Sequence, residues 1–236
     1  MHFNVILKSL EFEHKPSGGF GIGFSLKVQP GAPLPLHRYR ERALETHVKC
    51  EACTLQYSVF GVFAYCPDCR VHNSLHILRQ NLSLVRKQIS LAASIDDQAL
   101  REHLTEDALE NCVSAFDGFA RESCRIRASR SADAPKAESL SFQNLPRVAE
   151  RLQKLFDVAF DKAIPDQSWK RAHVFFMRRH LIAHKSGVID AQYLDETGEP
   201  RSLLGKRVRV GHDDVLELAG LVEGLGHGLL SLLPPP

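Results

Sequence analysis

Four cysteines constrain this chain more than any other feature: Cys50-Glu-Ala-Cys53 and Cys66-Pro-Asp-Cys69, with 12 residues between the pairs. A Cys-x-x-Cys turn lets two thiolates point at one cation, and a hairpin between the pairs brings the second two round to close the tetrahedron that zinc prefers. Alternation of Leu55, Tyr57 and Val59 before Gly61, and of Phe63 and Tyr65 after it, predicts that hairpin. Four thiolates saturate the ion and leave no position for water, so zinc is expected as a structural cofactor; redox exchange is the alternative. Cys112 and Cys124 fall in helical sequence and read as buried thiols.

Over Lys49 to Arg70 the pattern resembles a zinc ribbon. A module of this size has too small a core to stand alone, so metal binding is expected to supply much of its folding free energy. Glu51, Gln56, Asp68, Arg70 and His72 form no basic stripe that would select nucleic acid over protein as its partner.

The 236 residues are enough for one or two domains, and 44% hydrophobic with 25% charged residues excludes wholesale disorder and fibrous repeats. Thirty Lys plus Arg against 28 Asp plus Glu leave +2, so any basic site must be local. No window of about 20 residues is free of charge, and the first ten lack a secretory signal, so the reading is cytoplasmic with no membrane partner.

Phe3, Val5 and Leu7, then Leu10 and Phe12, then Phe20 to Val28 alternate as a bulged hairpin around His14 to Gly19. Gly19, Gly21 and Gly23 make no phosphate loop, because no helix follows. Pro30 to Pro35 reads as a linker. Helical spacing begins with Leu75, Leu78, Leu82, Val85 and Ile89, a second helix is expected from Thr105 toward Ser129, and residues 130–140 read as a loop. Further helices are expected from Pro146, from Asp166 or Ser168 to Gly187, and from Asp213 to before Pro234, the last weakened by four glycines. Lys206 to Val210 reads as a short strand or extended turn. The fold class is therefore α+β, mainly α: a β-rich module over 1–73 and a helical domain over 74–236.

Trp169 to Lys185 is the local basic site, with Lys170, Arg171, Arg178, Arg179, Lys185 and three histidines but no acidic residue. At about 100° per residue, His173, Met177, His180 and His184 share one stripe. His180 and His184 have the spacing of a zinc-protease pair, yet Leu181 stands where its general-base glutamate belongs, so that reading fails.

Arg179-x-x-x-x-His184, with the stretch Arg179 to Leu194 and the final helix, resembles the HEPN superfamily of helical nucleotide-binding bundles, many of them metal-independent ribonucleases. The residue after the arginine is most often Asn in that family and is His180 here; Ser186 stands where some toxin members carry a tyrosine that a partner enzyme modifies. The resemblance implies a HEPN-like bundle over 74–236, acting as a homodimeric endoribonuclease of toxin or defence type with RNA as substrate. An antitoxin or regulatory protein is a possible partner. It implies catalytic roles for Arg179, His180 and His184, with Arg178, Lys185, Lys170 and His173 as RNA-binding neighbours.

These residue types suit RNA cleavage. A histidine can take the 2′-hydroxyl proton or protonate the leaving 5′-oxygen near neutral pH, and an arginine fork stabilises charge growing on the phosphate. Five residues along a helix turn through about 140° net, so Arg179 and His184 do not stack within one chain; in the family, two subunits face each other. The alternative is a catalytically silent HEPN or zinc-ribbon module that binds RNA or protein.

Overall fold

The computed structural model describes residues 11–12, 26–27, 45–60 and 62–235. The chain divides into two compact units, Met1–Ala43 and Leu44–Pro236. In the first, β1 (Glu11–Phe12) pairs antiparallel with β2 (Leu26–Lys27), Phe12 opposite Leu26. The remainder of the expected first hairpin, the Pro30–Pro35 linker and Gly61 lie outside the described residues.

The second unit is mainly helical, with one small antiparallel sheet among the described residues. That sheet pairs β3 (Glu45–Lys49) with β4 (Gln56–Phe60), His47 opposite Ser58. The expected pairing of residues 55–59 with 63–65 therefore does not form. The partner strand lies before the first cysteine pair, and Tyr65 bridges instead to His72 across the second. Each cysteine pair thus occupies the turn of its own ladder.

Among the described residues seven helices follow: α1 (Ser74–Ala93), α2 (Gln98–Arg125), α3 (Ala134–Glu138), α4 (Leu145–Phe156), α5 (Asp166–Lys185), α6 (Ala191–Thr197) and α7 (His212–Leu232). The helix expected from Thr105 starts earlier, because Asp97 caps the Leu100 amide and the Thr105 hydroxyl donates to the Arg101 carbonyl within the helix. Within the expected loop 130–140, Asp133 caps α3. Asn144 caps α4 with Pro146 in its first turn, and α5 ends at a left-handed Ser186 followed by left-handed Gly187. The expected extended turn survives as a bridge between Val188 and Arg207. Helix α6 has no counterpart in the sequence reading, although Asp190 at its start and Gly198 at its end are ordinary cap residues.

Helices α1 and α2 pack along each other, α7 packs against both and against α5, and α5 also meets α2, α4 and α6. Leu78, Leu82, Val85 and Ile89 turn the buried face of α1 inward. At the centre, Phe116 meets Phe119, Phe142, Phe160 and Phe176 at 5.8–6.4 Å between ring centroids. Such pairs contribute about 0.5–1.5 kcal/mol each beyond area burial. A smaller cluster of Met177, Leu181, Ile189, Tyr193, Leu194 and Val208 joins the end of α5 to α6.

Helix α7 is long and apolar enough to cross a membrane by length and composition alone, with mean hydropathy 1.3 over its most apolar window. Here Val215, Leu218, Val222, Leu225 and Leu229 are buried among neighbouring helices. Its glycines, expected to weaken it, permit close approach: a Cβ at Gly226 would lie 2.8 Å from Leu78 Cδ2, and one at Gly228 would collide with the Ala163 carbonyl. Gly228→Ala should therefore lower stability by about 1–3 kcal/mol despite alanine's higher helix propensity; Gly220→Ala, which meets nothing within 4 Å, should not lower it. Chemical denaturation of the two variants measures the contrast.

Candidate functional site

The two cysteine turns repeat one geometry. The Cys50 amide donates to the Leu55 carbonyl at 2.8 Å and the Thr54 amide to the Cys50 carbonyl at 3.0 Å; Cys66 with Val71 and Arg70 with Cys66 repeat both distances. Thr54 and Arg70 take the left-handed conformation, φ 63° and 62°, which turns the chain back after each second cysteine. The four sulfurs lie within 4.8 Å of one another. Close sulfur contacts cross between the turns, Cys50 to Cys69 at 3.4 Å and Cys53 to Cys66 at 3.6 Å. Sulfurs about 2.3 Å from one tetrahedral ion stand about 3.8 Å apart, so this cluster could bind a metal ion.

The Cys53 and Ala52 amides favour a thiolate at Cys50 and draw its pKa down to about 6. Cys53 has a favourable Leu55 amide, yet burial and the neighbouring sulfurs push it up to about 12. Protein groups alone favour one thiolate and oppose its neighbour; a cation stabilises all four. Cys112 and Cys124 are fully buried, and burial pushes both thiols up to about 12, as inert core residues.

The cysteine cluster packs with the helices, so the compact unit begins at residue 44 and the junction near residue 73 lies inside it. Asn73, at the head of α1, donates to the Val62 carbonyl and accepts from the Ala64 amide. His72 lies between Phe63 and Tyr65 with its Nε2 3.4 Å from Glu122 of α2. Arg79 of α1 joins Glu51, inside the first cysteine turn, to Glu223 and His227 of α7.

On α5, Phe175 and Phe176 turn into the core and set which charges face the rest of the chain. Arg171 lies over the Phe175 ring and binds Asp214 and Glu217. Arg178, its side chain only 15% exposed, bonds Glu199 at 3.0 Å and Tyr193 Oη at 3.3 Å, with Asp214 at 3.6 Å. It ties α5 to α6 and α7 through ion pairs within the chain. Lys185 pairs with Asp190; this pair and the Tyr193 amide hold the Asp190 carboxyl below the usual carboxylate range. His173 is largely enclosed beside Glu196, its Nδ1 has no partner among the described residues, and burial lowers its pKa, which favours the neutral ring. Lys170 is exposed and makes no ion pair among the described residues.

No family model, curated protein or solved structure matches this chain. The site's reading therefore stands on its own geometry.

Arg179, His180 and His184 fall outside those ion pairs. The His180 and His184 rings lie 4.9 Å apart between centroids at the end of α5, and His184 is exposed. Burial, then the neighbouring His184, Lys185 and Arg179, lowers the His180 pKa. Arg179 Nη1 donates to Gln143 Oε1 at 3.1 Å, while its buried Nε has no partner among the described residues. Among the described residues no hydrogen bond joins Arg179 to His184, as their helical offset requires.

Gln143 carries no signal of this role in the sequence. It becomes a neighbour of Arg179 because buried Asp117 accepts the Phe142 amide at 2.6 Å and fixes the segment before α4. Only the cap Asn144, followed by Pro146, marks this place in the sequence.

Because Arg79, His72 and Asn73 join the cysteine cluster to the bundle, metal removal should lower the melting temperature of the whole unit by several degrees, at about 2–4 °C per kcal/mol for a domain of this size. Metal analysis should return one ion per chain, and Cys66→Ser should melt like the chelated protein; thermal unfolding followed by circular dichroism reads both effects.

Proposed function

We propose that this protein is a metal-independent endoribonuclease of the HEPN type, acting as a homodimer of toxin or defence character, with a structural zinc ion held by Cys50, Cys53, Cys66 and Cys69. The observation that carries the reading is the group left over on α5: Arg179, which has no carboxylate partner among the described residues, beside the neighbouring imidazoles His180 and His184. Among the described residues, no carboxylate completes a metal-binding cluster with these two histidines.

The chemistry follows from the side chains. One imidazole takes the proton of the ribose 2′-hydroxyl, whose oxygen attacks the adjacent phosphorus. A second protonates the departing 5′-oxygen, leaving a 2′,3′-cyclic phosphate and a 5′-hydroxyl. The Arg179 fork binds the non-bridging oxygens as charge builds on them. The net angle of about 140° between Arg179 and His184 calls for a second copy of α5, and a twofold axis would let one chain's imidazole act as base and its mate's as acid. Zinc, when bound, supplies folding energy through its four thiolates and takes no part in this step.

Arg179→Ala and His184→Ala should each reduce cleavage of single-stranded RNA by at least about 10²-fold while the dimer persists. Retention of wild-type cleavage by both variants would falsify the assignment. The lowered His180 pKa makes its ring neutral, and so able to act as base, at a pH below its ordinary value; the rising limb of kcat/KM should therefore lie below about pH 6.5. A measured pH–rate profile tests this.

A second reading, a catalytically silent RNA-binding bundle, is favoured by the angular separation of Arg179 and His184 within one chain. Under it, wild-type protein retains RNA without cutting it.

A further inference from the structure

The nuclease reading leaves open how a strand is held, since Arg178 and Lys185 are paired within the chain. Several cations, among them Arg79, Arg125, Arg171 and Arg207, have a carboxylate partner. Helix α4 is different. Arg147, Arg151 and Lys154 are exposed, and none makes an ion pair among the described residues. Their i, i+4, i+7 spacing sets them in one row on a flank away from the buried Leu145, Val148, Leu152 and Leu155. Glu150 on the same helix comes within ion-pair distance of none of them.

Arg151 and Lys154 also line a groove of about 550 Å³ with Lys136 of α3, floored by Leu140 and Leu155. Asp133 is the groove's one acidic residue among those described, and it pairs with Lys136 at 2.6 Å. At its other end the row begins one helical turn beyond Gln143, the residue that holds Arg179. From Arg147 to Lys154 it rises about 10 Å along the axis.

We infer that this flank of α4 and its groove form a track for the phosphate backbone of single-stranded RNA, leading the strand to Arg179. The inference rests on RNA being the ligand of the proposed function and adds where the strand lies. Arg147 contacts the backbone next to the reacting linkage, and Arg151 and Lys154 contact phosphates farther along. These contacts are electrostatic and carry no base specificity. The cations remain exposed because their counter-charge arrives with the ligand.

The test measures anisotropy of a fluorescein-labelled single-stranded RNA with the His184→Ala protein, which keeps the probe intact, across a salt series. Adding Arg147→Gln, Arg151→Gln and Lys154→Gln together should weaken binding at least tenfold. It should also make the log–log salt slope shallower by about 2, at about 0.7 for each phosphate no longer neutralised. Lys87→Gln, exposed on α1, should alter the slope by less than the value for a single phosphate. Should circular dichroism show the triple variant unfolded, Arg151→Gln alone decides, with an expected slope change of about 0.7. Unchanged affinity and slope overturn the track, as does absence of RNA binding by the parent protein.

Cleavage assays on the same α4 variants, with His184 restored, separate the two proposals. Cutting with α4-independent binding leaves the nuclease and removes the track. Binding that depends on α4 without any cutting does the reverse.

Discussion

A guanidinium that loses water must gain a carboxylate or another acceptor, and that requirement organises the surface of α5. Phe175 and Phe176 enter the aromatic core around Phe116, which fixes the rotation of the helix. Arg171 and Arg178 then lie on the side that packs toward α6 and α7, where Asp214, Glu217 and Glu199 receive them. Arg179, one residue further round, meets the amide of Gln143. Adjacent arginines thus differ: one joins helices, and the other makes no ion pair among the described residues.

The cysteine cluster meets a related constraint. Four thiols within 4.8 Å cannot all ionise beside one another without a cation, and their turns are too short to build a core. Docking to the bundle, and a metal ion that the cluster could bind, would meet that need together. Glu51 lies between the first two cysteines and also binds Arg79, while His72, just beyond the second pair, packs toward Glu122. The junction between sheet and helices is therefore an interior feature of one compact unit.

Legibility in the sequence follows the range of the interaction. The helix of Leu78 to Ile89, the caps of α4 and the left-handed end of α5 depend on neighbours within a few residues, and the cysteine cluster on two short Cys-x-x-Cys turns 12 residues apart; each is readable. The strand partner of β4 differs from the expected one because alternation states which residues can be a strand and leaves its partner open. The early start of α2 and the short α6 are hidden because Asp97 and Asp190 are common residues whose capping role depends on the local backbone. The glycines of α7 signal weakness to a propensity argument and become contact points in the fold, because propensity takes no account of Leu78 or Ala163.

From the sequence alone come a mainly helical α+β chain, a four-cysteine cluster suited to a metal ion, and a single helix dense in arginine and histidine. Each is local chemistry, written in spacings shorter than about twenty residues. Tertiary structure decides that Arg178 is an internal tie and that Arg179 faces Gln143. It also decides that the cysteine turns belong with the bundle and that the row on α4 makes no ion pair among the described residues. The reason is desolvation: whether a charge must be paired depends on what lies against it, and only the packed chain specifies that.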